Sequence, residues 1–449
     1  AWARLAEITE RHNDPETFTT LHGFEWTSAP DRTNLHRNVI FRDANVPEIP
    51  VTARYNPDPE ALWDALETYR AAGMHVLAIP HNSNASRGLM FAPQRFDGSP
   101  IDRAYAERRA SMGPVVEIMQ AKGNSEVFPG LANADEFDEF ELSEFIETTR
   151  GGRLGYVREG LKEGLKVHAE LGANPFKFGL IGSTDTHNST PGDTDEGDFN
   201  GGHALLDGSV ESRRTEVIAG WMPVRQSNPG GLTGVWANAN TREEIYDALA
   251  RREVFGTSGT RMQIRFFGGW AFDGTASTAT ELVDAGYANG VPMGSDLPID
   301  ASNGAPEFLV WAMKDVDSAP LDRIQIIKGW YADGEAHEKI YNVALSDGRA
   351  PGEDGSAPDL DADVNLETGA YAADKGSVEL FARWTDPEFD PDAYAFYYAR
   401  ALEIPTARWT TLDAIRSGQP LLDDVPATVR ERAWSSPIWY TPAENGAGE

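Results

Sequence analysis

Short apolar runs alternate with amphipathic helical stretches from Ala1 to about Gly202, and this alternation limits the fold more than any other feature of the chain. The periodicity predicts a helix over Pro59–Ala72 that leads into a buried strand over His75–Ile79. A helix over Leu154–Leu171 is likewise followed by a strand over Phe178–Gly182. Strands that alternate with helices favour a parallel α/β sheet or barrel, in which ligands gather at the carboxyl ends of the strands. Further strands are predicted over Phe18–Trp26, Arg37–Arg42 and Val115–Met119, and further helices over Ala1–His12 and Thr241–Arg252.

The texture of the sequence changes after Glu253, where strand-like segments follow one another with few helical runs between them. This pattern predicts a β-rich C-terminal region. We therefore expect one unit over residues 1–260 and a second, β-rich unit over residues 261–449. The strands predicted in the second unit are Arg261–Phe267, Glu307–Met313, Arg323–Lys328, Lys339–Leu345, Ser377–Arg383 and Tyr394–Ala401.

Charge and composition exclude several classes of protein. The 449 residues include 71 acidic and 39 basic side chains, a formal net charge of −32. Such an excess of acid argues against binding to nucleic-acid phosphates or to anionic membranes. The apolar runs, of which His75–Pro80 is among the longest, fall far short of the roughly 18 residues of a membrane-spanning helix. The chain has no Cys, which excludes disulfides, thiolate metal sites and a Cys nucleophile.

Histidines and carboxylates stand where several of the predicted strands begin or end. They are Glu25, His36, His81, Asp185 and His187. Neutral imidazoles together with carboxylates suit a cluster of divalent metals, and two metals roughly 3.5–4 Å apart can generate hydroxide near neutral pH. A single His near a strand end is, however, more often a hydrogen-bonded structural residue. The spacing alone therefore leaves both a hydrolytic metal centre and a set of structural histidines open.

Eight longer strings stand out in the sequence: Gly23–Ser28, Asn34–Phe41, Ile79–Asn82, Gln120–Glu126, Gly179–Asn188, Arg251–Phe255, Thr257–Arg261 and Ala433–Tyr440. They resemble a bacterial family of unknown function, the one numbered 3604, and the resemblance covers nearly the whole chain. That family in turn resembles the polymerase-and-histidinol-phosphatase (PHP) hydrolases, whose fold is a distorted seven-stranded β/α barrel holding two or three metal ions. The resemblance implies an α/β fold with a PHP-like barrel followed by the β-rich domain.

The same resemblance implies a role for each residue of the strand-end set. Glu25 would be the bridging carboxylate, and His36 and His81 would be the middle histidine ligands. Asp185 and His187 would form the closing aspartate-x-histidine pair. Glu25, Asp185 and His187 would then be the catalytic residues as well as metal ligands.

A second group of residues is expected to bind substrate or to orient the ligands. Arg37 is a candidate for a bidentate contact with an anionic substrate. Asn82 and Asn188 flank proposed ligands and could orient them or the substrate. The remaining members of this group are Glu117, Lys122 and His203.

One part of the PHP pattern is missing from the sequence. PHP hydrolases begin with a His-x-His strand followed by an Asp and an Asp-His pair, and the sequence contains no His-x-His. We expect that the family's opening segment lies upstream of Ala1 and that the chain is a fragment. The resemblance also suggests export to the periplasm or secretion.

Together these expectations define a metal-dependent hydrolase, most plainly a phosphoesterase that uses a metal-bound hydroxide. Its cofactors would be two or three Mn, Fe or Zn ions and its substrate a small anionic ester. A sulfate ester or another ester is the nearest alternative, because a site that clamps an oxyanion does not by itself choose between them. A non-catalytic protein that binds a partner or a glycan and keeps a vestigial metal site is the alternative of another class. The oligomeric state is left open.

Overall fold

The computed structural model describes residues 1–130, 135–218, 222–272, 274, 278–299 and 304–443. Nine α-helices lie within these residues: α1 Trp2–Arg11, α2 Pro59–Ala71, α3 Arg103–Met112, α4 Glu144–Thr149, α5 Val157–Leu171, α6 Val210–Thr215, α7 Arg242–Ala250, α8 Ala279–Asn289 and α9 Trp409–Ser417. Single 3₁₀ turns cover Pro30–Arg32, Ser83–Ala85, Arg153–Gly155, Glu196–Asp198 and Val224–Gln226. None of the described helices combines the length and the apolar character needed to cross a membrane.

The strands of the first half are short, and most of them form small sheets. They are β1 His22–Trp26, β2 Arg37–Phe41, β3 Val76–Pro80, β4 Val115–Gln120, β5 Gly123–Asn124, β6 Gly179–Gly182, β7 Val217–Ile218, β8 Met222–Pro223, β9 Leu232–Val235 and β10 Val254–Thr257. One sheet has the order β1-β2-β3 and a second has the order β5-β4-β6, while β7 and β8 pair separately.

Longer strands dominate the second half, as the sequence predicts. They are β11 Gln263–Gly269, β12 Gly290–Pro292, β13 Glu307–Met313, β14 Leu321–Ala332, β15 Glu335–Leu345, β16 Glu379–Thr385, β17 Tyr394–Glu403, β18 Thr406–Ala407, β19 Thr428–Val429, β20 Arg432–Ser435 and β21 Ile438–Tyr440. A seven-stranded sheet has the order β15-β14-β17-β20-β10-β9, with β21 beside β17, and a four-stranded sheet has the order β12-β11-β13-β16. Apolar residues of both sheets, such as Phe266, Val310, Ile326 and Ala399, form one core between them.

Local sequence signals account for several helix boundaries. The Asp58 carboxylate caps α2 by accepting a hydrogen bond from the amide of Glu60, and Pro59 stands at the first helical position. Helix α5 ends at Gly172, whose φ of +75° is a left-handed conformation that glycine adopts without steric cost. Helices α3, α8 and α9 are not predicted from the sequence pattern.

The mixed α/β class is confirmed, but the expectation of a parallel arrangement is only partly met. Among the described strand pairs, β4 and β6 are parallel, and the sheet β1-β2-β3 is antiparallel throughout. The connection from β1 to β2 contains no α-helix, and a connection without a crossover element favours antiparallel neighbours. The hydrogen-bonded strands of the described residues do not close into a barrel.

The seven-stranded sheet takes strands from both sides of residue 260. Strands β9 and β10 precede that position, and the other five follow it. Helix α5 packs on this sheet as well, because Leu161 and Leu165 share a core cluster with Phe396 and Trp434. Residues 1–260 and residues 261–449 therefore share a sheet, and their division into two units remains a prediction.

A buried set of charges joins the segment after β5 to α5 and β17. Arg158 donates hydrogen bonds to Glu126 and Asp135 at 2.8 Å each. Arg400 donates to Asp135 at 2.7 Å and to Glu126 at 3.0 Å, and Tyr398 donates to Glu126 at 2.7 Å. Both guanidinium side chains are fully buried. Two carboxylates and two guanidiniums thus neutralise one another out of contact with water.

Replacing Arg400 with Met should destabilise the fold, because Glu126 and Asp135 then share a single buried cation. Removal of one partner from a buried ion pair costs about 3–5 kcal/mol. The free energy of unfolding, measured by urea titration, should fall by that amount. The exposed Arg416→Met change should stay within about 0.5 kcal/mol of the wild type. Equal urea midpoints for the two variants would contradict the structural role of the buried charges.

Candidate metal centre

The predicted site residues meet at one edge of the small sheets. Strands β1 and β3 run in the same direction, as do β4 and β6, and the site lies where these four strands end. A cavity of about 560 Å³ opens there. Seven of the predicted residues line it: Glu25, His36, Asn82, Lys122, Asp185, His187 and His203.

Glu25 and His36 of the cavity lining form a tight group with His81, which is buried behind the lining. His36 Nδ1 lies 2.8 Å from Glu25 Oε1, and His81 Nε2 lies 3.3 Å from the same oxygen. The two imidazole rings are edge to face with their centroids 5.5 Å apart. Among the described residues, these three form a group whose potential ligand atoms all lie within 4.8 Å of one another. One carboxylate and two imidazoles at this separation suit a transition metal such as Zn, Mn or Fe.

The surroundings of His81 support a metal more than a purely structural role. The residue is 2% exposed, and neither ring nitrogen has a hydrogen-bond partner within the part of the chain that the structure describes. The approach of Nε2 to Glu25 is close in distance but does not make a hydrogen bond. A buried polar atom without a partner is costly, and a metal ion would satisfy an imidazole lone pair. The residues present therefore fit a divalent cation.

The charge states of the group also suit metal binding. The hydrogen bond from His36, and next the nearby imidazole of His81, hold the pKa of Glu25 well below its usual range, so this carboxylate stays ionised. Burial lowers the pKa of His36, so its imidazole is neutral at pH 7 and keeps a free lone pair. An anionic oxygen and a neutral nitrogen are the forms in which these side chains bind metals.

Asp185 lies in the same cavity but is paired with a cation. Lys122 forms an ion pair with Asp185 Oδ2, and Gln120 donates a hydrogen bond to the same oxygen at 3.1 Å. Burial lowers the pKa of Lys122 to about 8. Asp185 lies beyond the end of β6 with a φ of +49°, so a turn and not strand alternation directs its side chain. Such backbone strain is common at functional sites.

His187 and His203 face each other across the same cavity. Their rings are stacked with centroids 5.1 Å apart. The buried Asp207 fixes His203: its carboxylate lies 3.3 Å from His203 Nδ1 and accepts a hydrogen bond from the backbone amide of His203. The loop that carries His203 thus comes within reach of the site, as the sequence suggests.

Glu117 and Asn188 support the site without lining the cavity. Glu117 is 2% exposed, accepts the amide of Asn82 at 3.1 Å and accepts the hydroxyl of Ser183. Burial raises the pKa of Glu117. It therefore ties the segments after β3 and β6 together. Asn188 donates to the carbonyl of Gly201 at 2.5 Å and so fixes the loop that leads to His203.

Arg37 is the one predicted substrate-binding residue that faces away from the cavity. His36 immediately precedes it, and successive side chains along an extended strand point to opposite faces. Arg37 instead contacts the ring of Trp26 with its guanidinium carbon 5.9 Å from the ring centroid. The structure therefore does not bring Arg37 to the candidate metal ligands.

Two arginines that the sequence reasoning missed do line the cavity. Arg32 lies in the 3₁₀ turn between β1 and β2 with a φ of +66°, and Arg150 follows α4. Burial and the charges of Arg87 and Arg32 lower the pKa of Arg150, so positive charge is concentrated at this wall. No local motif marks either residue, because a loop and a distant helix end bring them together.

The fold and this site define a mixed α/β protein with a histidine–carboxylate candidate metal site at the ends of its strands. The family model described as "Protein of unknown function (DUF3604)" matches residues 1–442, and the chain belongs to this family. No curated protein matches the chain, and no solved structure matches it.

Replacing His81 with Gln should weaken binding of Co²⁺ or Zn²⁺ by roughly 100-fold or more, because even residues that only orient ligands contribute 10- to 100-fold. Titration followed by the visible absorption of Co²⁺ measures this affinity. His22→Gln is the matched control, since His22 is also buried on this sheet but bonds Glu10 on the other face of β1. Equal affinities of the two variants would mean that His81 is not a ligand.

Proposed function

We propose that the protein is a metal-dependent hydrolase of small anionic esters, in the first place a phosphoesterase related to the PHP hydrolases. The observation that carries the proposal is the group of Glu25, His36 and the unsatisfied, buried His81, next to a cavity with cationic side chains on its wall. Ligands and cations in one cavity suit a reaction in which an oxyanion is held next to a metal.

The chain's own residues would divide the work as follows. Glu25, His36 and His81 would hold the first divalent ion, and Asp185 with His187 would hold a further one. Bound ions of this kind lower the pKa of a coordinated water and withdraw charge from a phosphoryl oxygen. Two or three Mn, Fe or Zn ions remain our prediction for the full centre.

The positive charges around the cavity would hold and orient the substrate. Lys122, Arg32 and Arg150 line the cavity, so the ester's anionic group would meet charge on more than one side. Charge-assisted hydrogen bonds of this kind are stronger than neutral ones, so they would hold the anionic group firmly. The same wall fits a sulfate monoester, which keeps this substrate class as the second candidate.

Replacement of Asp185 with Asn should lower kcat by roughly 100-fold or more while the fold is retained, because the carboxylate is lost from the reacting centre. The assay uses metal-loaded protein with p-nitrophenyl phosphate, bis(p-nitrophenyl) phosphate and p-nitrophenyl sulfate, and metal content is measured on the same samples. Asp193→Asn is the control, since Asp193 is an exposed carboxylate of the same loop region.

The pattern of rates distinguishes the alternatives. Faster turnover of either phosphate substrate supports a phosphoesterase, and faster turnover of the sulfate supports a sulfatase. Equal rates for the two Asn variants would remove Asp185 from the catalytic set. If the protein takes up no metal under loading conditions and turns over none of the substrates, the result would favour a binding protein with a vestigial site.

Replacement of Arg32 with Gln should raise KM for the anionic ester by up to roughly tenfold, equivalent to about 1.4 kcal/mol. The value of kcat should change little, because this wall binds substrate and transition state alike. Arg87→Gln is the matched control: Arg87 is exposed next to the same wall and does not line the cavity. Steady-state kinetics at constant ionic strength measure both variants, and an unchanged KM for Arg32→Gln would exclude Arg32 from substrate binding.

A further inference from the structure

A second cavity lies on the other face of the sheet β1-β2-β3, between β2 and helices α2 and α3. Its volume is about 320 Å³. Trp63 of α2, Tyr105 and Arg109 of α3, and Arg37 of β2 line it, together with Arg95. The cavity therefore combines guanidinium groups with aromatic rings. It contains none of the candidate metal ligands.

Arg37 is the most unusual member of this lining. It is 4% exposed, and its guanidinium makes a hydrogen bond from Nη1 to the carbonyl of Leu35. Across the described ranges of the chain, no carboxylate forms an ion pair with it. A buried charge without a counter-ion is costly unless something else compensates it. Arg37 thus presents a nine-tenths buried cation to a cavity that no acidic partner fills.

Arg109, like Arg37, has backbone carbonyls as the acceptors of its guanidinium hydrogen bonds. Its guanidinium donates to the carbonyls of Ala92 and Met90 at 2.8 and 2.6 Å and stacks over Phe176 at 4.5 Å. The structure pairs it with no carboxylate among the residues described. Burial, and next the charge of Arg109, lower the pKa of Arg37 to about 9. Each guanidinium therefore raises the cost of keeping the other charged.

The acidic residues of the lining do not neutralise these two cations. Glu60 Oε1 accepts hydrogen bonds from the amide of Phe96 at 3.0 Å and from the hydroxyl of Tyr105 at 3.1 Å. Asp31 is exposed at the rim. Arg95, the third guanidinium of the lining, is paired with Asp102 at 3.3 Å. The charges of Asp58 and Glu60 favour the charged forms of Arg37 and Arg109, respectively, from a distance. Within the described part of this lining, Arg37 and Arg109 are thus the guanidiniums without a carboxylate in direct contact.

We propose that this cavity is a second binding site, for a small organic anion. Its oxyanion head, a carboxylate or a phosphate or sulfate monoester, would lie between Arg37 and Arg109, where paired charge-assisted hydrogen bonds can form. Its apolar body would pack against Trp63, Tyr105 and Phe96. The volume is at the small end for ligand pockets and suits a body of about one ring. The proposal does not depend on the hydrolase reaction.

Isothermal titration calorimetry on the whole protein tests the proposal with benzoate, phenyl phosphate and inorganic phosphate, and with benzamide as the neutral probe. We expect saturable binding of benzoate or phenyl phosphate, at least tenfold weaker binding of inorganic phosphate, and none of benzamide. Arg37→Met should weaken the organic anion at least tenfold. The exposed Arg103→Met of α3 is the matched control and should leave this affinity unchanged.

Thermal unfolding of the unliganded variants separates a ligand-binding Arg37 from a structural one. Arg37→Met removes a buried charge without a counter-ion, so its Tm should equal or exceed that of the wild type. A clear drop in Tm, or a failure to fold, would show that Arg37 stabilises the protein and would overturn the proposal. The proposal would also be overturned if no probe bound saturably, or if Arg37→Met bound the organic anion as tightly as the wild type. Equal affinity for inorganic phosphate and phenyl phosphate would overturn it as well.

Discussion

The removal of charge from water is the constraint on which the rest of this structure depends. Glu126, Asp135, Arg158 and Arg400 neutralise one another inside the protein and connect the segment after β5 to α5 and to the seven-stranded sheet. Lys122 lies in the turn between β4 and β5, a few residues before this network. The buried ion network therefore also fixes the hairpin that presents a cation to the candidate metal centre.

Buried polar groups in this chain fall into two kinds, and the difference points to function. The guanidiniums of Arg158 and Arg400 have carboxylate partners on other elements, so their burial is compensated by the fold itself. His81 and Arg37 are buried to a similar degree without such partners. The first kind holds the fold together, and in our two proposals a ligand completes the second kind: a cation for the imidazole, an anion for the guanidinium.

The sequence predicts local features of this fold much better than it predicts the relative directions of strands or the contacts between distant segments. The capping residue Asp58 and the terminating Gly172 mark their helices because their chemistry acts within a few residues. The strand-end histidines and carboxylates also come together, because strand ends share one edge. The antiparallel direction of β2 and the arrival of Arg32 at the cavity depend on tertiary packing and leave no local signal. Strand alternation, in contrast, is a local signal, and it places Arg37 on the face of the sheet opposite to that of His36.

The ion pair between Lys122 and Asp185 limits how the metal centre can fill. The ammonium lies on the carboxylate oxygen that a further metal ion would need. Two cations on one oxygen repel each other strongly in a partly buried site, since Coulomb energies grow as water is excluded. Occupancy of Asp185 by a metal therefore requires Lys122 to move. Within the described ranges, no Lys or Arg forms an ion pair with Glu25, so a first ion would enter at Glu25, His36 and His81, and a further ion at Asp185 would require displacement of Lys122. The displaced ammonium would then be free to meet an anionic ester in the same cavity.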